Sequence, residues 1–196
     1  MNRIHFSLTK QQLRTEFIER RNLLSQVEYE DLCVKLFQRF QKVDLSNVSC
    51  VHLFLTIHKR KEPDTFLIRD WLKANHPQIK LVVPKTNFAD NTMQSFADDG
   101  YLKLEVNNFG IPEPLTGNEI DPREIDLILV PLLAFDKQGY RVGYGKGFYD
   151  RFITTCKPGV QVVGLSLFEP VDEIQGLNEF DMPLTACITP EHTWQF

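Results

Sequence analysis

The sequence lacks the marks of several protein classes. Its four cysteines, Cys33, Cys50, Cys156 and Cys187, form no C-x-x-C pair. None stands at zinc-finger spacing from a histidine, and a chain of 196 residues does not need disulfide staples. Free thiols fit a reducing compartment. No long hydrophobic run is present. The most apolar stretch, Leu127 to Phe135, has nine residues and includes Pro131, far short of a membrane span. The opening MNRIHFSLTKQQLR has no apolar core of a secretory signal. Basic excess is missing too: the net charge is −4, which argues against a nucleic-acid binder but leaves room for a local phosphate pocket. No internal repeat or low-complexity segment is visible. What remains is a cytoplasmic, soluble chain, expected to be a monomer with one domain over residues 1–196.

The elements present alternate. Thr9 with Gln12, and Ser25 with Glu28, read as capping boxes that open two helices. Leu13, Phe17 and Leu24 give the first a sparse apolar stripe; Leu32, Leu36 and Phe40 carry the second to about Gln41. VSCVHLFLT reads as a strand, His58 to Pro63 as a loop, and TFLIRDWLKANH as an amphipathic helix. KLVVPKT is a strand stopped near Pro84, so a parallel crossover is expected. TMQSFA and YLKLEV are short strands, and NNFGIPEPLTG is an ordered loop. IDLILVP shows little alternation, as a central strand covered on both faces would. FYDRFITTC is a helix and VQVVGLSL a buried strand; the tail is irregular, with one more strand near ACIT. The predicted fold is α/β: a three-layer sandwich with a mostly parallel sheet flanked by helices and a basic N-terminal helix.

The chemistry gathers in PLLAFDKQGYRVGYGKGFYD, residues 131–150. It starts at the C-terminal end of the central strand, where open α/β sheets put their ligands. Gly139, Gly143, Gly145 and Gly147 fall within nine residues, and a helix follows whose free amides attract phosphate. Arg141 and Lys146 add positive charge; Asp136 and Asp150 are candidates to meet a metal. Taken alone, such a segment is more often a glycine-rich turn. It is not a Walker A loop, since Gly147 follows the GK pair, and it lacks the context of a dinucleotide fingerprint.

The segment closely resembles the signature P-x-x-A/G-F-D-x-x-G-x-R-x-G-x-G-x-G-Y/F-Y-D of the 5-formyltetrahydrofolate cyclo-ligases. KQQLRTEFIERRNLLS, EPDT, VVPKT, FGIPEP and FDMPLTACIT resemble further segments of that family. The resemblance implies an ATP-dependent ligase that turns 5-formyltetrahydrofolate into 5,10-methenyltetrahydrofolate, with Mg²⁺ accompanying the ATP. It implies Lys146 and Arg141 at the transferring phosphoryl group. Lys10, Arg14, Gly143, Tyr144, Gly145, Lys146, Gly147 and Asp150 would bind ATP. Glu62, Phe109, Phe148 and Tyr149 would line the folate, and Asp150 and Asp181 would meet the metal. Lys10 and Arg14 share a helix face, a pair that without the resemblance reads as solvated surface. Arg21 lies on that face and is read as a surface residue. Glu62 alone carries no signal, and Phe109 reads equally as loop packing. Two departures stand out: Thr185 occupies a place where many members carry aspartate, and Tyr144 one where some carry arginine. Two rivals stay open. One is a phosphate-binding isomerase or transferase on a related scaffold, which would not need Lys10 and Arg14. The other is a non-catalytic folate or nucleotide sensor, toward which Thr185 points.

Overall fold

A computed structural model describes residues 8–106 and 112–196. The strand β1 (Leu8–Thr9) runs directly into α1 (Lys10–Leu23), where Thr9 accepts from the Gln12 amide and Gln12 answers to the Thr9 amide. Ser25 and Glu28 form the same reciprocal cap on α2 (Gln26–Phe40). Both capping boxes stand where the sequence put them.

The expected strand over 48–56 is shorter, β2 (Cys50–Leu53), and the loop after it contains a single 3₁₀ turn at His58–Arg60. Helix α3 (Thr65–Asn75) leads to β3 (Lys80–Asn87). Pro84 does not stop β3. The parallel partner β2 pairs only as far as Val82, so beyond it one side of β3 is free, and a residue without an N–H is tolerated there. The strand β4 (Thr92–Ala97) turns back antiparallel on β3. The strands β5 (Lys103–Val106) and β6 (Pro112–Thr116) form a separate ribbon, so part of the expected loop is a strand. Its two prolines misled the reading, yet a two-stranded ribbon leaves one side of each strand unpaired. Residues 107–111, Phe109 among them, lie outside the described residues.

The remaining elements are β7 (Glu119–Ile120), β8 (Leu127–Pro131), the small hairpin of β9 (Ala134–Phe135) and β10 (Arg141–Val142), and α4 (Phe148–Thr155). Then come β11 (Gln161–Leu165), β12 (Ile174–Gln175), β13 (Ala186–Ile188) and β14 (Thr193–Gln195). The tail thus holds three short strands rather than one.

Eight strands form the main sheet in the order β14-β13-β11-β8-β2-β3-β4-β7. The stretch from β13 to β3 is parallel; β14 pairs antiparallel at one end, and β4 then β7 pair antiparallel at the other. One face packs Val51, Leu53, Leu81, Leu127, Leu129 and Val163 against α2 and α3. The other packs Cys50, Val82, Ile128, Val130 and Val162 against Phe152 and Ile153 of α4. That is the three-layer α/β sandwich, and it explains why β2 and β8 show no polar alternation: both faces are covered. The helix α1 stands apart from these layers, packing Leu13 and Phe17 on Leu133, Ala134, Val142 and Ile174.

Candidate active site

In the parallel run, β2 has its chain successor β3 on one side and β8 on the other. Strand addition changes direction between β2 and β8. Segments leaving the C-terminal ends of two such strands diverge and open a crevice. Here that crevice is a cleft of about 1390 Å³, lined from β2 by Leu55, Ile57 and Glu62 and from β8 by Pro131, Leu133 and residues 141–151. Pockets for one drug-sized ligand run to roughly 1,000 Å³, so this cleft has room for two substrates side by side.

The glycine-rich loop is built by backbone sign. Gly145 has φ +91° and Gly147, the N-cap of α4, has φ +67°, values that side-chain-bearing residues rarely adopt. Glycine at 145 also makes room: a Cβ there would stand 3.2 Å from the Arg14 guanidinium carbon. Arg14 lies across the loop and donates from Nε to the Gly143 carbonyl at 3.0 Å. Lys146 is exposed at the loop's crest, on the cleft wall, with no ion pair among the described residues.

Two ion pairs flank the loop, one joining α1 to the 178–182 segment and one bridging the loop's own two ends. Lys10 meets Asp181 at 2.5 Å, and Arg141 meets Asp150 at 2.9 Å. Arg141 also donates to the Met182 carbonyl, while the Met182 N–H donates to Asp150 Oδ1 at 3.2 Å. Asp150 and Asp181 are therefore brought to one wall through adjacent residues of the 178–182 segment. Arg141 is not the open cation that the sequence led us to expect. Its side chain is 6% exposed and its guanidinium is engaged, so touching phosphate would require exchanging one of these bonds. Burial lowers its pKa, against the pull of Asp150. Asp136 is turned away altogether: it is fully buried and accepts from the amides of Gln138, Tyr140 and Ile174.

The opposite wall carries Glu62. It is 3% exposed; Oε2 accepts from the Ile57 amide and Oε1 from the Tyr144 hydroxyl, each at 2.8 Å. Burial raises its pKa, and these hydrogen bonds work against that rise. Tyr144, expected beside ATP, thus has its hydroxyl committed to Glu62. Tyr149 lines the cleft with a buried hydroxyl that has no partner among the described residues. Phe148 lines it too, edge-on to Phe88 at 5.3 Å.

Two residues escaped the sequence reading. Arg21 is buried, not on the surface: it is 2% exposed and extends the Leu13–Phe17 stripe by one further step of four. That spacing was the available signal. His52 is fully buried in β2 beneath Tyr149 and Phe152, with both ring nitrogens unpartnered among the described residues. Burial pushes its pKa down to about 3, so it is neutral. Thr185 does not line the cleft. Its hydroxyl accepts from the Val162 amide at 3.0 Å and donates to the Val162 carbonyl at 3.1 Å, stitching the approach of β13 to β11.

The sequence model of the 5-formyltetrahydrofolate cyclo-ligase family matches residues 7–190. The chain belongs to the 5-formyltetrahydrofolate cyclo-ligase family. It is 31% identical over 148 residues to the 5-formyltetrahydrofolate cyclo-ligase of Mycoplasma pneumoniae, covering 74% of this chain and 77% of that one. The cyclo-ligase of Mycoplasma genitalium is 29% identical over 182 residues, covering 91% and 97%. The fold is similar to the NMR structure of Aquifex aeolicus 5,10-methenyltetrahydrofolate synthetase, with TM-score 0.78 and 29% identity over 95% of this chain and 92% of that one. The segment from Pro131 to Asp150, which resembles that family's signature, lies on the cleft's cationic side.

Among the described residues, no three or more His, Cys, Asp or Glu side chains gather as a metal site. A resident metal would need such a set. An ion carried in by a nucleotide does not, since Mg²⁺ keeps waters and takes one or two carboxylates besides the phosphates. Asp150 and Asp181, which line the same cleft as Lys146, fit that lesser demand.

Proposed function

We propose that this protein catalyses ATP + 5-formyltetrahydrofolate → ADP + phosphate + 5,10-methenyltetrahydrofolate. The observation that carries this is the single cleft with a glycine-rich cationic wall facing a buried carboxylate. The first suits a triphosphate and the second an edge of paired N–H donors, such as a pterin's.

An N-formyl group is an amide, a poor electrophile with a poor leaving oxygen. Transfer of the γ-phosphoryl group to the formyl oxygen, with ADP leaving, cures both defects. N10 of the same folate then attacks the carbon and loses its proton, and phosphate departs with the former formyl oxygen. The second step is intramolecular, so holding the folded conformer is most of the task. The first needs alignment and neutralised charge.

Lys146 meets the transferring phosphoryl group. The amides at Gly143 to Gly147 and the start of α4 cradle phosphate oxygens. Lys10 and Arg14 hold the nucleotide from α1. Arg141 acts from beneath, fixing Asp150 and the Met182 carbonyl. Asp150 and Asp181 would hold Mg²⁺, which supplies further charge neutralisation on the phosphates. Glu62, Phe148 and Tyr149 form the folate side. The sensor reading loses its motive, because Thr185 is occupied with β11. We read residues 1–196 as one domain, acting as a monomer in the cytoplasm. No described helix is long and apolar enough to cross a membrane, and the four cysteines are free.

The test is ADP release from Mg-ATP with and without 5-formyltetrahydrofolate, repeated with excess EDTA. ADP is expected only with the folate and with free Mg²⁺. Equal ADP without the folate would contradict the acceptor assigned here; turnover unmoved by EDTA would remove the metal.

A further inference from the structure

Arg21 makes no ion pair with a carboxylate among the described residues, although it is buried and lines the cleft. Its Nη2 donates to the Leu132 carbonyl at 2.5 Å and its Nη1 to the Tyr144 hydroxyl oxygen at 3.3 Å. Nε has no partner among the described residues. A guanidinium in such a position is costly unless it serves something nearby.

The bond to Tyr144 fixes a direction. Guanidinium can only donate, and a phenol has a single proton. The Tyr144 oxygen accepts from Arg21, so its proton goes to Glu62 Oε1, 2.8 Å away. The Ile57 amide takes the other carboxylate oxygen. Glu62 then has a donor on each oxygen and a lone pair left on each for a ligand in the cleft. A carboxylate held this way favours an edge carrying two adjacent N–H groups and rejects acceptors.

We propose that Arg21 is a positioning residue for substrate selection, acting through the Tyr144 hydroxyl to hold Glu62 as a pure acceptor for the two-donor edge of the pterin. This rests on the assignment of Glu62 to the folate. The surroundings agree. Arg60 lies 4.6 Å over the Tyr144 ring, so two guanidinium groups bracket that side chain. The other ionisable groups facing Glu62 are Tyr29, whose hydroxyl donates to the Glu62 carbonyl at 2.7 Å, and Tyr149; burial keeps both phenols protonated. Arg21 and Arg60 are positive charges that act on this carboxylate. The pairing also accounts for tyrosine at 144: with a guanidinium already supplied from α1, that position needs a group that relays rather than another cation.

The experiment measures 5-formyltetrahydrofolate binding by calorimetry from pH 5 to 8 without ATP, together with steady-state kinetics. The variants are Tyr144→Phe, Arg21→Leu, Arg21→Lys and the double Arg21→Leu/Tyr144→Phe. Tyr144→Phe removes one oxygen and should weaken folate binding roughly 10- to 100-fold at the acid end, with KM for ATP unmoved. Without its donors Glu62 holds its proton to higher pH, so the acid limb of folate binding moves up. Arg21→Leu should move it the same way, Arg21→Lys less, and the double variant no further than Tyr144→Phe alone. Wild-type binding and an unmoved limb in Tyr144→Phe would overturn the relay, as would losses that add in the double variant. If Arg21→Leu does not fold, Tyr144→Phe and Arg21→Lys decide the matter. A wild-type chain that binds the folate but releases no ADP would refute the ligase assignment alone; one that binds no folate would refute both.

Discussion

Among the cations of α1 and the glycine-rich loop, Lys146 differs from Lys10, Arg14 and Arg141 by what it lacks. Lys10 faces Asp181, Arg14 donates to Gly143, and Arg141 faces Asp150, whereas Lys146 stands exposed on the loop without an ion pair among the described residues. A charge already satisfied gives little extra when phosphate arrives; an open one gives its full interaction. Lys146→Ala should therefore cut kcat roughly 10²- to 10³-fold with little change in thermal stability. Turnover near wild type would remove Lys146 from the phosphoryl group. At this scale the sequence was informative wherever residues sat inside a dense motif. For Arg21 it offered only the spacing from Leu13 and Phe17, because a charged side chain on a sparse helix stripe looks solvated until its partners are known. It was silent for Tyr144, whose hydroxyl meets a carboxylate 82 positions away.

The elements that carry the site depend on anchors outside it. Asp126, just before β8, accepts from the Ser49 and Cys50 amides and from Lys157, tying the starts of β2, β8 and β11 together. Burial acts against its ionisation, but the hydrogen bonds from Lys157, Ser49 and Cys50 outweigh it and hold its pKa well below the ordinary carboxylate value. A depressed pKa means stability present above the unfolded value and lost as acid protonates the folded state. Asp126→Asn should cost about 1–3 kcal/mol at pH 7 by urea unfolding, and the difference should shrink as pH falls below about 4. A constant difference down to pH 2 would show that the charge does not matter. Helix starts were legible because capping is local, reaching three residues. Strand ends were not: the length of β2 and the passage of β3 through Pro84 depend on which neighbour is present at each position.

For the whole molecule, the order of strands about β2 decides where substrates meet. Alternating helices and strands announced a layered α/β fold, but the reversal of strand addition that opens the cleft is a property of topology. Within that cleft the glycine loop, the α1 cations and Glu62 face one another, and the chemistry assigned to them makes the formyl oxygen the phosphoryl acceptor. The direct test is to supply 5-formyltetrahydrofolate with ¹⁸O in the formyl group, run one turnover with unlabelled Mg-ATP, and weigh the released phosphate. Phosphate carrying the ¹⁸O is the outcome this account requires, because the C–O bond breaks after the oxygen has joined phosphorus. Unlabelled phosphate beside the methenyl product would mean that the oxygen left by another route, and the phosphorylated intermediate would have to be given up.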